Sequence, residues 1–166
     1  MLVRHLKIPV LLALVILSGC GFHLRSSKQM SSIPPLQVIG GGSAFSMHLQ
    51  TELKHAGADV VAKEGVWQLK ITQNKLNKRV MSVDADGKAQ EYELSQNVSF
   101  SVVEAASRKV LSQQTFVRTR DLLFDKNEVL GKDYEERMLY EDIENDMVNT
   151  IILYLRTLAG KYRDRT

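Results

Sequence analysis

The sequence predicts an α/β fold of the α+β kind: a two-layer sandwich, with a four-stranded mixed sheet covered on one face by two helices in the order β-α-β-β-β-α. Three observations carry this expectation. Trp67, Leu69 and Ile71 alternate with Gln68, Lys70 and Thr72, the period of a half-buried strand. A tight-turn sequence, Asp84-Ala85-Asp86-Gly87, follows that strand and leads into a second alternating run. Two further stretches place apolar residues at helical spacing, and a sheet with one dry face needs such cover.

Taken in order, Leu36-Gln37-Val38-Ile39 is a short apolar strand that ends at Gly40-Gly41-Gly42. The three glycines lack the Lys-Ser/Thr that a phosphate-cradling loop requires, so they read as a strand-to-helix turn. Ser43 is the expected N-cap of a helix whose dry face is Phe45, Leu49, Leu53 and Ala56, and Gly57 stops it. His48 and His55 share a face of that helix. Seven residues apart, they are too far along the axis to ligate one metal, and a solvated face is expected. Asp59-Val60-Val61 extends briefly, and a long strand runs from about Val66 to Val83. After the turn, Tyr92, Leu94, Val98, Phe100 and Val102 alternate with Glu91, Glu93, Ser95, Asn97, Ser99 and Ser101, giving one dry and one wet face. Ala105 to Arg108 turn the chain into a fourth strand, Val110 to Thr119. Asp121 to Lys132 reads as loop. Asp133, with Glu136 three residues on, is the expected cap of a last helix striped by Leu139, Ile143, Met147, Ile151, Tyr154 and Leu158, with Gly160 just past it. No repeat or low-complexity segment is found.

The first twenty residues carry a different signal. Arg4 and Lys7 precede an apolar run from Ile8 to Leu17, and small residues follow: the layout of an export signal. The run is shorter than the ~20 residues of a membrane-spanning helix. Leu17-Ser18-Gly19-Cys20 resembles the lipobox of bacterial lipoproteins, which implies cleavage before Cys20, a diacylglyceryl group on its sulfur and an acyl group on its nitrogen. Acyl chains contribute ~0.8 kcal/mol per buried methylene, and two or more give lasting anchorage. Gly21 follows the cysteine where an Asp would retain such a protein in the inner membrane, so the resemblance points to the outer membrane, facing the periplasm.

Composition narrows the function. Without residues 1–19, the chain holds twenty basic and nineteen acidic residues, a net charge of +1, so the sequence pI of about 9.0 is no nucleic-acid footprint. Cys20 is the only cysteine, so acylation leaves no thiol for a disulfide, redox pair or thiolate metal site. No cofactor and no metal site is expected. Residues 133–146 hold seven carboxylates and one Arg, but no nucleophile or histidine falls in a catalytic pattern with them. A solvated helix face or a contact to basic residues of a partner is expected, and the chain does not read as an enzyme.

Gly19-Cys20-Gly21-Phe22-His23-Leu24-Arg25, the segment Gly87-Lys88-Ala89-Gln90-Glu91-Tyr92-Glu93-Leu94 after the hairpin turn, and Asn145-Asp146-Met147 in the last helix together resemble the LptE (RlpB) family of lipopolysaccharide-assembly lipoproteins. The resemblance divides the chain into a cleaved signal at 1–19, a lipidated start and tether at 20–35, a single domain at 36–160 and a charged tail at 161–166. It implies a non-enzymatic protein that plugs the lumen of the LptD β-barrel, helps that barrel assemble, and helps place lipopolysaccharide in the outer leaflet. The wet strand faces suit a polar lumen wall. Phosphates of the glycolipid call for cations. Between Lys63 and Lys88 there are six basic and three acidic residues. Lys78, Arg79 and Lys88 approach the hairpin tip and Lys132 lies before the last helix, which makes these four the candidate lipopolysaccharide contacts. Ala85 and Asp86 stand at the tip where the family would place a cation. The alternatives are another periplasm-facing lipoprotein adaptor or small-ligand binder, with a roomy apolar pocket between its layers, and a tethered hydrolase, with titratable groups clustered in a cleft.

Overall fold

A computed structural model of the chain describes residues 33–62, 66–123 and 129–163. The signal, Cys20 and most of the expected tether lie outside these residues. The elements are β1 (Leu36–Gly40), α1 (Ser43–His55), β2 (Trp67–Val83), β3 (Ala89–Glu104), β4 (Val110–Leu123) and α2 (Val129–Arg163). The sheet order is β1-β2-β3-β4, with β1 parallel to β2 and the other neighbours antiparallel. This is the expected mixed sheet in the expected element order.

Both helices sit on one face, because only that face is dry. Phe45, Leu49 and Leu53 of α1, Trp67, Leu69 and Ile71 of β2, Val98, Phe100 and Val102 of β3, and Met147, Ile151 and Leu155 of α2 share one buried cluster. Each such side chain contributes ~1.5–3 kcal/mol by leaving water. Phe100, Phe116 and Tyr154 add three edge-on ring contacts with centroids 5.3–5.8 Å apart. A smaller cluster, Leu94, Leu122 and Ile143, lies toward the hairpin tip. Between the two stands a polar seam. Gln96, fully buried, donates to Asn74 Oδ1 at 2.9 Å, and Arg118 donates to Thr150 Oγ1 at 2.5 Å. Among the described residues, the side chains between the layers form a buried apolar cluster.

Several boundaries differ from the sequence expectation. Gly42 caps α1, with no side-chain cap, and Ser43 is already helical. Gly40, Gly41 and Gly42 all have φ near +84°, so the turn needs glycine's freedom at three successive positions. β4 runs on to Leu123 because its last residues pair with β3 as far as Glu91. α2 begins by Val129, so Asp133 lies inside it and caps nothing, and it continues through Gly160 to Arg163. Gly131 does not break the helix: glycine costs a helix interior only ~1 kcal/mol. Ile33, read as tether, is buried in the main cluster.

Candidate functional site: hairpin cations and the uncovered sheet face

The sheet face away from the helices is largely polar. Across β2, β3 and β4 the register sets Gln73, Ser99 and Thr115 in one row and Asn77, Ser95 and Thr119 in another. Ser99 and Thr115 share a hydroxyl hydrogen bond of 2.9 Å. Between these rows Lys75, Asn97 and Val117 form a third, and Asn97 Oδ1 is buried with no hydrogen-bond partner. A buried acceptor without a partner costs ~1–3 kcal/mol. The middle of the face thus offers mainly hydroxyls and amides, with Lys75 as its charge and Val117 as its apolar residue.

The four candidate cations do not form one cluster. An irregularity in β2 between Ile71 and Gln73 inserts one residue and reverses which side chains face the helices beyond it. Lys78 therefore faces α2. Its Nζ lies 2.5 Å from Glu136 Oε2 and 4.4 Å from the centroid of the Tyr92 ring. Arg79 faces the opposite way, onto the open face. It holds Glu93 in a two-pronged contact, Nε to Oε1 at 2.9 Å and Nη2 to Oε2 at 3.3 Å. Lys88 is exposed just after the hairpin turn, where Asp84 Oδ1 accepts from the backbone N–H groups of Asp86 and Lys88 at 2.9 Å each. Lys132 sits in the first turns of α2 instead of in a loop, with Nζ 2.8 Å from Glu135 Oε2. Tyr140 donates to the carbonyl of Asn77 at 3.2 Å, and burial pushes its phenol above the usual tyrosine value. With the Lys78–Glu136 pair, this contact brings the start of α2 to the hairpin, so Lys132 lies about one turn from Glu136 on the hairpin side.

The acidic stretch of α2 is partly neutralised by the protein's own sheet. Arg120 Nε lies 2.7 Å from Asp142 Oδ2, and Arg118 Nε lies 3.2 Å from Asp146 Oδ2. The hydrogen bond that Arg120 donates to Asp142 is the main cause that raises its guanidinium further above its ordinary value. His48 Nδ1 meets Glu144 Oε1 at 2.8 Å, so this histidine joins the two helices and is not merely solvated. Matched spacing could have revealed the arginine pairs. Two residues along a strand span ~6.7 Å and four along a helix ~6 Å, so Arg118/Arg120 and Asp142/Asp146 fit one another. Among the described residues no group of His, Cys, Asp or Glu is arranged to hold a metal ion, and no helix is long and apolar enough to cross a membrane.

Residues 29–155 match the family model LptE, described as lipopolysaccharide-assembly. The chain belongs to the LptE family. It is 29% identical, over 98% of its length and 92% of the relative's, to the LPS-assembly lipoprotein LptE of Photorhabdus laumondii. The protein of the same name from Pectobacterium atrosepticum is 22% identical, over 95% of this chain and 89% of that one. Among solved structures it is similar to lipoprotein B of Nitrosomonas europaea, at 29% identity and a TM-score of 0.69, covering 86% of this chain and 93% of the other. The rare lipoprotein B of Shewanella oneidensis shares the fold at 17% identity, with a TM-score of 0.66 over 78% of this chain and 97% of that one. The LptE match takes in every described strand and most of α2, so the sheet face and the hairpin belong to the family's common body.

Proposed function

We propose that this LptE-family chain is exported, cut before Cys20, acylated there and held at the periplasmic side of the outer membrane. In that place it plugs the LptD β-barrel, serves as its assembly partner and helps insert lipopolysaccharide into the outer leaflet. The observation that carries the reading is the uncovered face of β2, β3 and β4. Its rows of Ser, Thr, Asn and Gln suit a polar lumen wall and not a lipid surface. Lys88 at the tip, Lys132 at the start of α2 and Arg79 on the open face are the proposed phosphate contacts. Lys78, also a candidate, acts by fixing α2 against the hairpin through Glu136. No catalytic step is assigned. Purification of the acylated protein from outer membranes in mild detergent tests the reading. A large β-barrel at one-to-one stoichiometry, lost with Cys20→Ala from the membrane fraction, is the expected result. A native protein that always travels alone refutes it.

A further inference from the structure

The open face is not flat throughout. At the end remote from the hairpin tip it holds a concavity of about 870 Å³ lined by Val66, Lys70, Val103, Arg108 and Val110, among others. Val103 is only 7% exposed although no helix covers its face, so its neighbours form a true recess around it. Val66 and Val110 are more than half exposed on the rim. Lys70 and Arg108 make no ion pair with any described carboxylate. Glu104, also on the rim, is occupied: it accepts from Ser107 and Tyr162, and Lys109 stands near it.

Arg108 is the one described non-glycine residue at positive φ, +57°. It ends the tight turn between β3 and β4, at a position that glycine fills without strain. A bulky residue held in the left-handed region points to function at that position. The chain enters the fold at the same end: Trp67 N–H donates to the carbonyl of Pro35, and Ala105 N–H to that of Val66. Twelve residues lie between Cys20 and Ile33, thirteen Cα–Cα steps, so an anchor at Cys20 can lie no more than about 47 Å from Ile33.

We infer that this recess binds the anionic headgroup of a phospholipid in the anchoring leaflet. Lys70 and Arg108 hold the phosphate, and Val66, Val103 and Val110 receive the glycerol and first methylenes. The inference rests on the proposed function only for the acyl anchor that holds the chain at the membrane. The site is separate from the hairpin cations.

The test uses the mature chain, residues 20–166, carrying Cys20→Ala so that neither an acyl group nor the signal contributes, and phosphatidylglycerol vesicles in a sedimentation assay. Binding is expected to exceed that to phosphatidylcholine vesicles at least tenfold. It should fall about 5-fold with Lys70→Gln, about 5-fold with Arg108→Gly and ~25-fold with both. Arg108→Gly should at the same time raise the thermal midpoint, which separates lost binding from lost folding. Arg137→Gln, on α2, should leave vesicle binding unchanged. Equal binding to both vesicle types, or no loss in the double variant, overturns the inference. Full displacement by inorganic phosphate at the same phosphate concentration assigns the site to a free anion and also overturns it. Barrel co-purification is a separate readout, so its failure would leave the vesicle result standing.

Discussion

Lys78 and Glu136 join the hairpin to the last helix, with Nζ 2.5 Å from Oε2 and the ammonium over the ring of Tyr92. The neighbouring Arg79 points the other way, and its side chain is 66% exposed. Strand alternation separates the two, and the irregularity before Gln73 decides which one meets the helix: Lys78 fastens the fold, and Arg79 lies on the open face against Glu93.

Stability should tell the two apart. Lys78→Met is expected to cost about 1 kcal/mol, the sum of a partly screened ion pair and a cation–π contact. Arg79→Met should change stability by less than ~0.5 kcal/mol. Urea midpoints measure both. A larger loss for Arg79 would contradict the assignment of the two faces.

The glycine turn gives a second prediction. A Cβ on Gly40 would lie 2.3 Å from the carbonyl oxygen of Ile71, and φ is +84°. Gly40→Ala should therefore cost ~3 kcal/mol or more, or prevent folding. Gly42 has the same φ with nothing within 4 Å, so Gly42→Ala should cost only ~1–2 kcal/mol. Thermal midpoints should fall in that order.

The seam of Gln96, Asn74 and Arg118 divides the core unequally. Leu94→Ala and Leu69→Ala should each cost ~2–5 kcal/mol as cavity mutations. Hydrogen exchange should separate them. Leu94→Ala is expected to speed exchange around Tyr92–Leu94 and Leu122 while amides near Leu69 and Val102 keep their protection, because these belong to the larger cluster. Uniform loss of protection in both variants would show a single cooperative unit.

The end of α2 should respond to pH at both extremes. Ser107 first, then Tyr162, holds the Glu104 carboxyl below its usual range, and Glu104 in turn pushes the Tyr162 phenol up. The depressed carboxyl stabilises the fold above the ordinary carboxylate pKa, and that contribution is lost as pH falls through the folded value. The raised phenol stabilises below the ordinary tyrosine value of ~10, and its contribution is lost as pH rises through the folded value. Trp67 is the single tryptophan and its ring meets Tyr162 edge-on at 5.8 Å, so its fluorescence should report both transitions. Tyr162→Phe should abolish the alkaline step and shrink the acid one.

Much of this was legible in the sequence, for physical reasons. Trp67, Leu69 and Ile71 face one core, and a period of two shows that directly. Asp84 to Gly87 form a turn whose chemistry is local. The orientation of Lys78 was not legible, because alternation counted from Trp67 takes no account of a bulge after Ile71. The sequence places the start of α2 too late because Asp133 and Glu136 resemble a capping box, although the helix is already formed at Val129 and packs Leu139, Tyr140 and Ile143 near the hairpin. The acidic stretch of α2 read as solvated because its arginine partners lie on another element. Cys20 was the clearest sequence signal, and it lies outside the described residues.

The most direct test of the account is site-specific photo-cross-linking in intact cells. A probe at Thr115 or Val117, on the uncovered sheet face, should trap one large β-barrel protein in the outer membrane. A probe at Leu153, 65% exposed on the outer side of α2, should trap it far less. Strong capture from Leu153 with none from Thr115 and Val117 would contradict the claim that the uncovered sheet face is the barrel contact.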